Sequence, residues 1–215
     1  MLERNSFKRW YLLPLAALAW NELVFYGGRL LARGLPHIDM TTPLDEAIPF
    51  VPWTVAIYFG CFIFWAVSYI VCAKQERAEA ARFYLADFIV KAVCLVFFVA
   101  LPTQMSRPDV HGSGFWNDAM RFLYWIDEPN NLFPSIHCAV SWLAWAGVRG
   151  RKELPLLFRL TMLLTAVAVV AATLTTKQHL IPDAVSGIAL AELSWLASGY
   201  LVSLKRSAPR SRQND

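Results

Sequence analysis

From Pro52 to Ala73 the chain runs for 22 residues without one charged side chain. A helix rises about 1.5 Å per residue, so this run matches the roughly 30 Å hydrocarbon core of a bilayer. No water is present at that depth to pair with backbone amides, and an α-helix pairs them within the segment. The composition agrees. Of 215 residues, 57% are hydrophobic and only 17% charged, which leaves little polar surface to face water. Nine Trp and fourteen Phe suit a chain whose rings meet lipid and headgroups.

Five further apolar runs accompany the first. One, about Trp10 to Tyr26, follows the basic residues Arg4, Lys8 and Arg9. Its Ala17-Leu18-Ala19 triplet is similar to a signal-peptidase site, but the run continues past it, so a retained helix is expected. Asn21 and Glu22 lie inside this run and are expected to face the bundle interior. A loop from Gly27 to Ile48 precedes the uncharged span, and a charged connector, Lys74 to Arg82, follows it. The third span, about Phe83 to Leu101, holds Asp87 and Lys91 four residues apart. An i,i+4 ion pair is the preferred reading, and a Lys91 that reaches the active site is the alternative. The fourth span runs from Ser135 to about Val148, the fifth from Leu154 to Thr176 and the sixth from Ala184 to Leu204, with a basic tail over 205–215. Between the third and fourth, Phe115 to Ile126 has the spacing of an amphipathic helix lying along the interface. Cys61, Cys72, Cys94 and Cys138 fall in apolar runs without paired spacing and are expected to be small core residues. The expectation is an all-α integral membrane protein with six transmembrane helices and one domain, 1–215, without repeats.

Charge placement orients that bundle. The N-terminus, the second-to-third connector, the fourth-to-fifth turn and the tail carry thirteen of the twenty Lys and Arg residues. Short loops rich in these residues stay cytoplasmic. Both termini are therefore expected in the cytoplasm. The three opposite loops then bring Arg107, Ser135, His137, Lys177, His179 and Asp183 to the outer face.

Those residues suit phosphate chemistry. A phosphoester needs cations and donors around its oxygens, a nucleophile in line with the leaving group, and an acid to protonate it. Pro134 presets the first turn of a helix, which Ser135 and His137 occupy, where free N–H groups favour an anion. His179 and Asp183, four apart, share a helical face if the sixth helix begins near them, so the carboxylate can orient the imidazole as a nucleophile. His137 supplies the proton. Arg107 offers a planar fork of donors and Lys177 a point charge. Taken singly, each piece has a plain structural explanation, and a metal held by the two histidines and Asp183 is a further alternative.

In combination the chain resembles the type 2 phosphatidic acid phosphatase family of integral membrane lipid phosphatases, which share a helical core with bacterial acid phosphatases and vanadium haloperoxidases. Arg107-Pro108 matches the end of the family's first signature, Pro134 to His137 its Pro-Ser-x-His, and His179 with Asp183 its His-x-x-x-Asp. The resemblance implies that His179 is the nucleophile, Asp183 its partner and His137 the acid, with Arg107 and Ser135 holding phosphate. Two positions depart from the pattern: Ala100 stands where the family has Lys, and Thr173 where it has Arg. Pro102-Thr103 and Lys177-Gln178-His179 are instead similar to a branch that includes relatives of inositol-phosphoceramide and sphingomyelin synthases. Lys177 is expected to replace the missing cation.

The expected activity is hydrolysis of a lipid phosphate monoester or diphosphate through a phosphohistidine, without metal or cofactor, in a multi-pass protein of a bacterial inner membrane. Its expected partners are a lipid phosphate substrate and membrane lipids, with no nucleic acid. A phosphotransferase that moves a phospho-headgroup to a lipid or polyol alcohol would use the same residues. A small lipid transporter, with Glu22, Asp87, Lys91 and Glu192 lining a path, is the alternative outside enzymes.

Overall fold

A computed structural model describes residues 9–207. Arg4, Lys8 and the tail beyond Ser207 lie outside the described residues. The elements are α1 (Leu12–Leu31), α2 (Pro43–Ala47), a 3-10 turn (Pro52–Thr54) leading into α3 (Val55–Ala73), α4 (Arg77–Ala100), α5 (Phe115–Ile126), α6 (Ile136–Arg149), α7 (Leu156–Thr175) and α8 (Ile181–Ser207). Two short strands, β1 (Ile38–Asp39) and β2 (Thr103–Gln104), pair in parallel between the loops.

Among the described residues, four segments are long and apolar enough to cross a membrane: Pro52–Ala73, Arg77–Ala100, Leu156–Thr175 and Ile181–Lys205. Their outer surfaces match that solvent. Ile63 is 73% exposed, Leu157 76% and Leu164 68%. Apolar surface on this scale would be costly in water and belongs in lipid. The chain is an all-α membrane protein. The helix α1 carries Asn21, Glu22 and Arg29, and α6 has only 14 residues, so neither joins the four by length and composition.

At the centre lies α6, packed against α3, α4, α7 and α8. Small residues allow this: a Cβ on Gly147 would lie 2.8 Å from the Phe83 ring and 3.0 Å from the Cys72 sulfur. Within a membrane, close approach of small residues is a main source of helix association. The four cysteines are buried and unpaired.

Membrane depth also holds a satisfied polar network. Lys91 Nζ donates to Asp87 Oδ2 at 2.9 Å, to the Tyr69 hydroxyl at 3.2 Å and to the Ala17 carbonyl at 3.2 Å. The Tyr69 hydroxyl donates to the other oxygen of Asp87. The ammonium thus uses all three donors to join α1, α3 and α4, which is the ion-pair reading and not the one that sends Lys91 to the active site. Glu192 pairs with Arg149 instead, so the groups considered for a transport path divide between separate clusters.

Several boundaries differ from the sequence expectation. The glycines at 27 and 28 read as a loop, yet α1 continues to Leu31, because Gly28 lets it lie against Phe98, 3.0 Å from where a Cβ would sit. The charged connector shrinks to Lys74–Glu76, since α4 opens at Arg77. Its charges stand on the first turns of that helix and pair at the bundle end, where Arg151 reaches Glu79 at 3.8 Å.

The end of α1, the starts of α3, α6 and α8, and the ends of α4 and α7 gather at one end of the bundle. Hydrogen bonds tie them there, from Arg29 to Asn130, Val51 to Thr175 and Ser135 to Asp183. Trp10 and Lys74 meet at the opposite end, where Arg82 lies 3.8 Å over the Trp195 ring.

Candidate active site

Three segments converge to build the site. The first is the loop before α6. Thr103 Oγ1 accepts from the backbone N–H groups of Leu132 and Phe133, both at 3.1 Å. Asn131, at φ 54°, turns the chain in the left-handed region that Asn tolerates, and the Phe133-Pro134 peptide is cis. Ser135 then caps α6: its backbone is extended and its hydroxyl accepts from Cys138 N–H at 3.2 Å. Pro134 therefore precedes the cap and does not occupy the first turn, because the cap position falls to the side chain able to accept that bond.

The second segment is the α7–α8 turn. The chain leaves α7 by a Schellman closure: Lys177 N–H donates to Leu174 O at 3.2 Å and Gln178 N–H to Thr173 O at 2.9 Å. Lys177 takes the left-handed position at φ 53°, usually given to glycine. That reversal sends successive side chains to opposite sides. Lys177 Nζ turns outward and donates to the carbonyls of Asp45 and Ile48 at 2.7 and 2.6 Å. Burial there lowers its pKa, against the opposing pull of Asp45. Gln178 turns inward. Thr173, which stands where a cation was expected, accepts His179 N–H on its carbonyl at 3.1 Å and so places the imidazole.

The third segment is the opening turn of α8. It begins at Ile181, so His179 stands just before the helix and Asp183 in its first turn. Asp183 Oδ2 accepts from Leu180 N–H at 2.8 Å and its carbonyl from Ser135 N–H at 3.0 Å. The starts of α6 and α8 are thereby clamped together, and Gly187 makes the approach possible, since a Cβ there would lie 2.5 Å from Ser135 O. Asp45 adds an outside cap to α8, accepting Ile181 N–H at 2.6 Å.

Within this frame His179 Nε2 lies 3.3 Å from His137 Nδ1, and His179 Nδ1 lies 3.5 Å from Asp183 Oδ2. A carboxylate beside Nδ1 favours the tautomer with its proton there. Nε2 then carries a lone pair and accepts from His137 Nδ1–H. Tyr58 and Trp65 back His137, with ring centroids at 4.8 and 5.3 Å. His179 is 6% exposed and Asp183 is fully buried.

Arg107 completes the group. It donates to Gln178 Oε1 at 2.6 Å and to the Asp127 carbonyl, and stacks 4.8 Å over the Tyr124 ring. Burial lowers its pKa while Asp127 pulls the other way, and burial pushes the Tyr124 hydroxyl up to about 12. Arg107, His137, Gln178 and His179 line one cleft of about 200 Å³, which extends past Tyr58 and Trp65 to Asn21, Glu22 and Tyr26 of α1.

The predicted residues thus separate into roles. His137, His179 and Arg107 share the cleft, with Asp183 directly behind His179. Ser135 is fully buried and its hydroxyl serves the α6 cap. Lys177 does not reach the cleft, because its ammonium is held by loop carbonyls on the other side. Gln178, Thr103 and Thr173 help shape this site and were not among the expected site residues. The only sequence signal for them was their place beside the motifs. Among the described residues, no group of three His, Cys, Asp or Glu side chains is placed to hold a metal ion. Comparison of the chain with protein-family models, curated proteins and solved structures returns no match.

Proposed function

We propose that this protein is a membrane-bound lipid phosphatase that works through a phosphohistidine on His179. The observation that carries the reading is the His179 Nε2 to His137 Nδ1 contact at 3.3 Å, in one cleft with Arg107. An in-line phosphoryl group stands about 3–3.5 Å from its attacking atom, so no phosphorus fits between nitrogens this close. Substrate replaces the histidine–histidine bond. His179 Nε2 then forms a bond to phosphorus as the bond to the ester oxygen breaks, and His137 gives that oxygen its proton. Water next attacks phosphorus opposite Nε2, returns a proton to His137 and releases phosphate. Arg107 neutralises the equatorial oxygens.

A second reading, transfer to an alcohol in place of water, is favoured by one feature. Asn21, Glu22 and Asn130 line the same cleft and supply hydrogen-bonding groups that release of free phosphate does not need.

In the membrane, α1, α3, α4, α6, α7 and α8 form six crossings, with α6 the short one, both termini in the cytoplasm and the histidines at the outer face. The positive-inside distribution supports this arrangement. His111→Cys in a cysteine-free background should label from outside the cell and Arg210→Cys should not, and the reverse result overturns it.

The activity is tested with purified protein and a panel of labelled lipid phosphates, with and without acceptor alcohols. The expected result is label trapped as alkali-stable, acid-labile phosphohistidine on residue 179. Turnover without any histidine-bound label refutes the mechanism.

A further inference from the structure

Gln178 is 2% exposed, yet its Nε2 has no hydrogen-bond partner among the described residues. Its orientation is not arbitrary. Arg107 Nη2 donates to the amide at 2.6 Å, and a guanidinium has no acceptor, so the atom facing it must be the oxygen and the free atom the NH₂. Arg107 Nε is likewise buried without a partner. A buried donor without a partner is costly, and here two occur on residues bonded to each other. Both residues line the cleft that holds the histidines.

The charge of that cleft is equally specific. Among the described residues lining it, Arg107 is the one Lys or Arg, while Glu22, Asp127 and Glu128 are acidic. Arg29 pairs with Asp127 at 3.2 Å and lies 3.7 Å from Glu128. Arg107 and the free Gln178 N–H₂ are therefore donors that this cleft offers to an anion.

We propose that Gln178 is a substrate-binding residue whose free amide N–H₂, beside Arg107 Nε, holds a non-bridging phosphoryl oxygen. This rests on reading the cleft as the phosphate site and adds one binding residue to it.

The test is calorimetric titration of the full-length protein in detergent at pH 8 with two probes of equal tail, hexyl methyl phosphate (one charge) and hexyl phosphate (two charges). Wild type should bind both probes. Gln178→Ala should weaken both probes about 10–100-fold, the loss expected for one hydrogen bond to a charged group. Gln178→Lys should shift the ratio of affinities toward the monoester by about tenfold or more. If the lysine variant does not fold, the isosteric Gln178→Glu serves, and it should reject the monoester more strongly than the diester. Gln178→Ala binding like wild type overturns the proposal while the phosphate site stands. Wild type binding neither probe overturns the phosphate site itself, and this proposal with it.

Discussion

Two buried polar clusters sit in this bundle, and they are finished differently. At membrane depth, Lys91, Asp87 and Tyr69 bond to one another and to the Ala17 carbonyl, so the ammonium, both carboxylate oxygens and the hydroxyl are all engaged. Around the histidines, His179 Nδ1, Asp183 Oδ1, Gln178 Nε2 and Arg107 Nε are buried without hydrogen-bond partners among the described residues. Buried polar groups are normally satisfied, and exceptions call for an explanation. The first cluster glues helices. The second leaves groups unpaired, and three of its residues, Arg107, Gln178 and His179, line the cleft.

Variants can break this contrast, since the open cluster should lose activity without stability and the closed one the reverse. The largest effect is expected for His179→Ala. Removing the nucleophile should lower turnover of every phosphate substrate on the order of 10⁴-fold or more, while the unfolding midpoint stays near that of wild type. Phosphate release and a thermal melt in detergent measure the two. A large fall in the melt would make His179 a structural residue.

His137→Ala comes next. Loss of the acid should remove much of the roughly 10²–10⁴-fold that proton donation supplies on a lipid ester. p-Nitrophenyl phosphate leaves without a proton and should keep far more of its rate. Equal losses on the two substrates would deny His137 the acid role.

In the closed cluster, Lys91→Met leaves a carboxylate buried and unpaired, and should cost about 3–5 kcal/mol of stability. Turnover per folded molecule should stay unchanged. A catalytic defect at full stability would bring back the reading in which Lys91 serves the active site. The smallest effect is expected for the double variant Asp87→Asn/Lys91→Met, which removes both charges and should recover most of that loss. Melts of the single and double variants, compared as a cycle, decide whether the pair acts as a unit.

Much of this was legible in the chain alone. The uncharged span was placed at Pro52–Ala73 and α5 at Phe115–Ile126, because run length and spacing are local properties of the sequence. The ion pair of Asp87 and Lys91 followed from their spacing of four. His137, His179, Asp183 and Arg107 were marked by residue type and motif, and the fold brings them together.

What the chain alone could not decide is which way a side chain turns once a neighbour or an unusual backbone angle intervenes. Lys177 looked like the phosphate cation because it is charged and stands beside His179. The left-handed turn at Lys177 sends it to the loop carbonyls and Gln178 to Arg107. Ser135 looked like part of the first turn of α6, but it takes the cap. Gly28 looked like loop until Phe98 lay against it. Composition and periodicity determined that this chain is a helical membrane protein with histidines clustered near helix starts. Only the packing of α6 against α8, with one turn closed at a positive φ, decided which donors face the cleft.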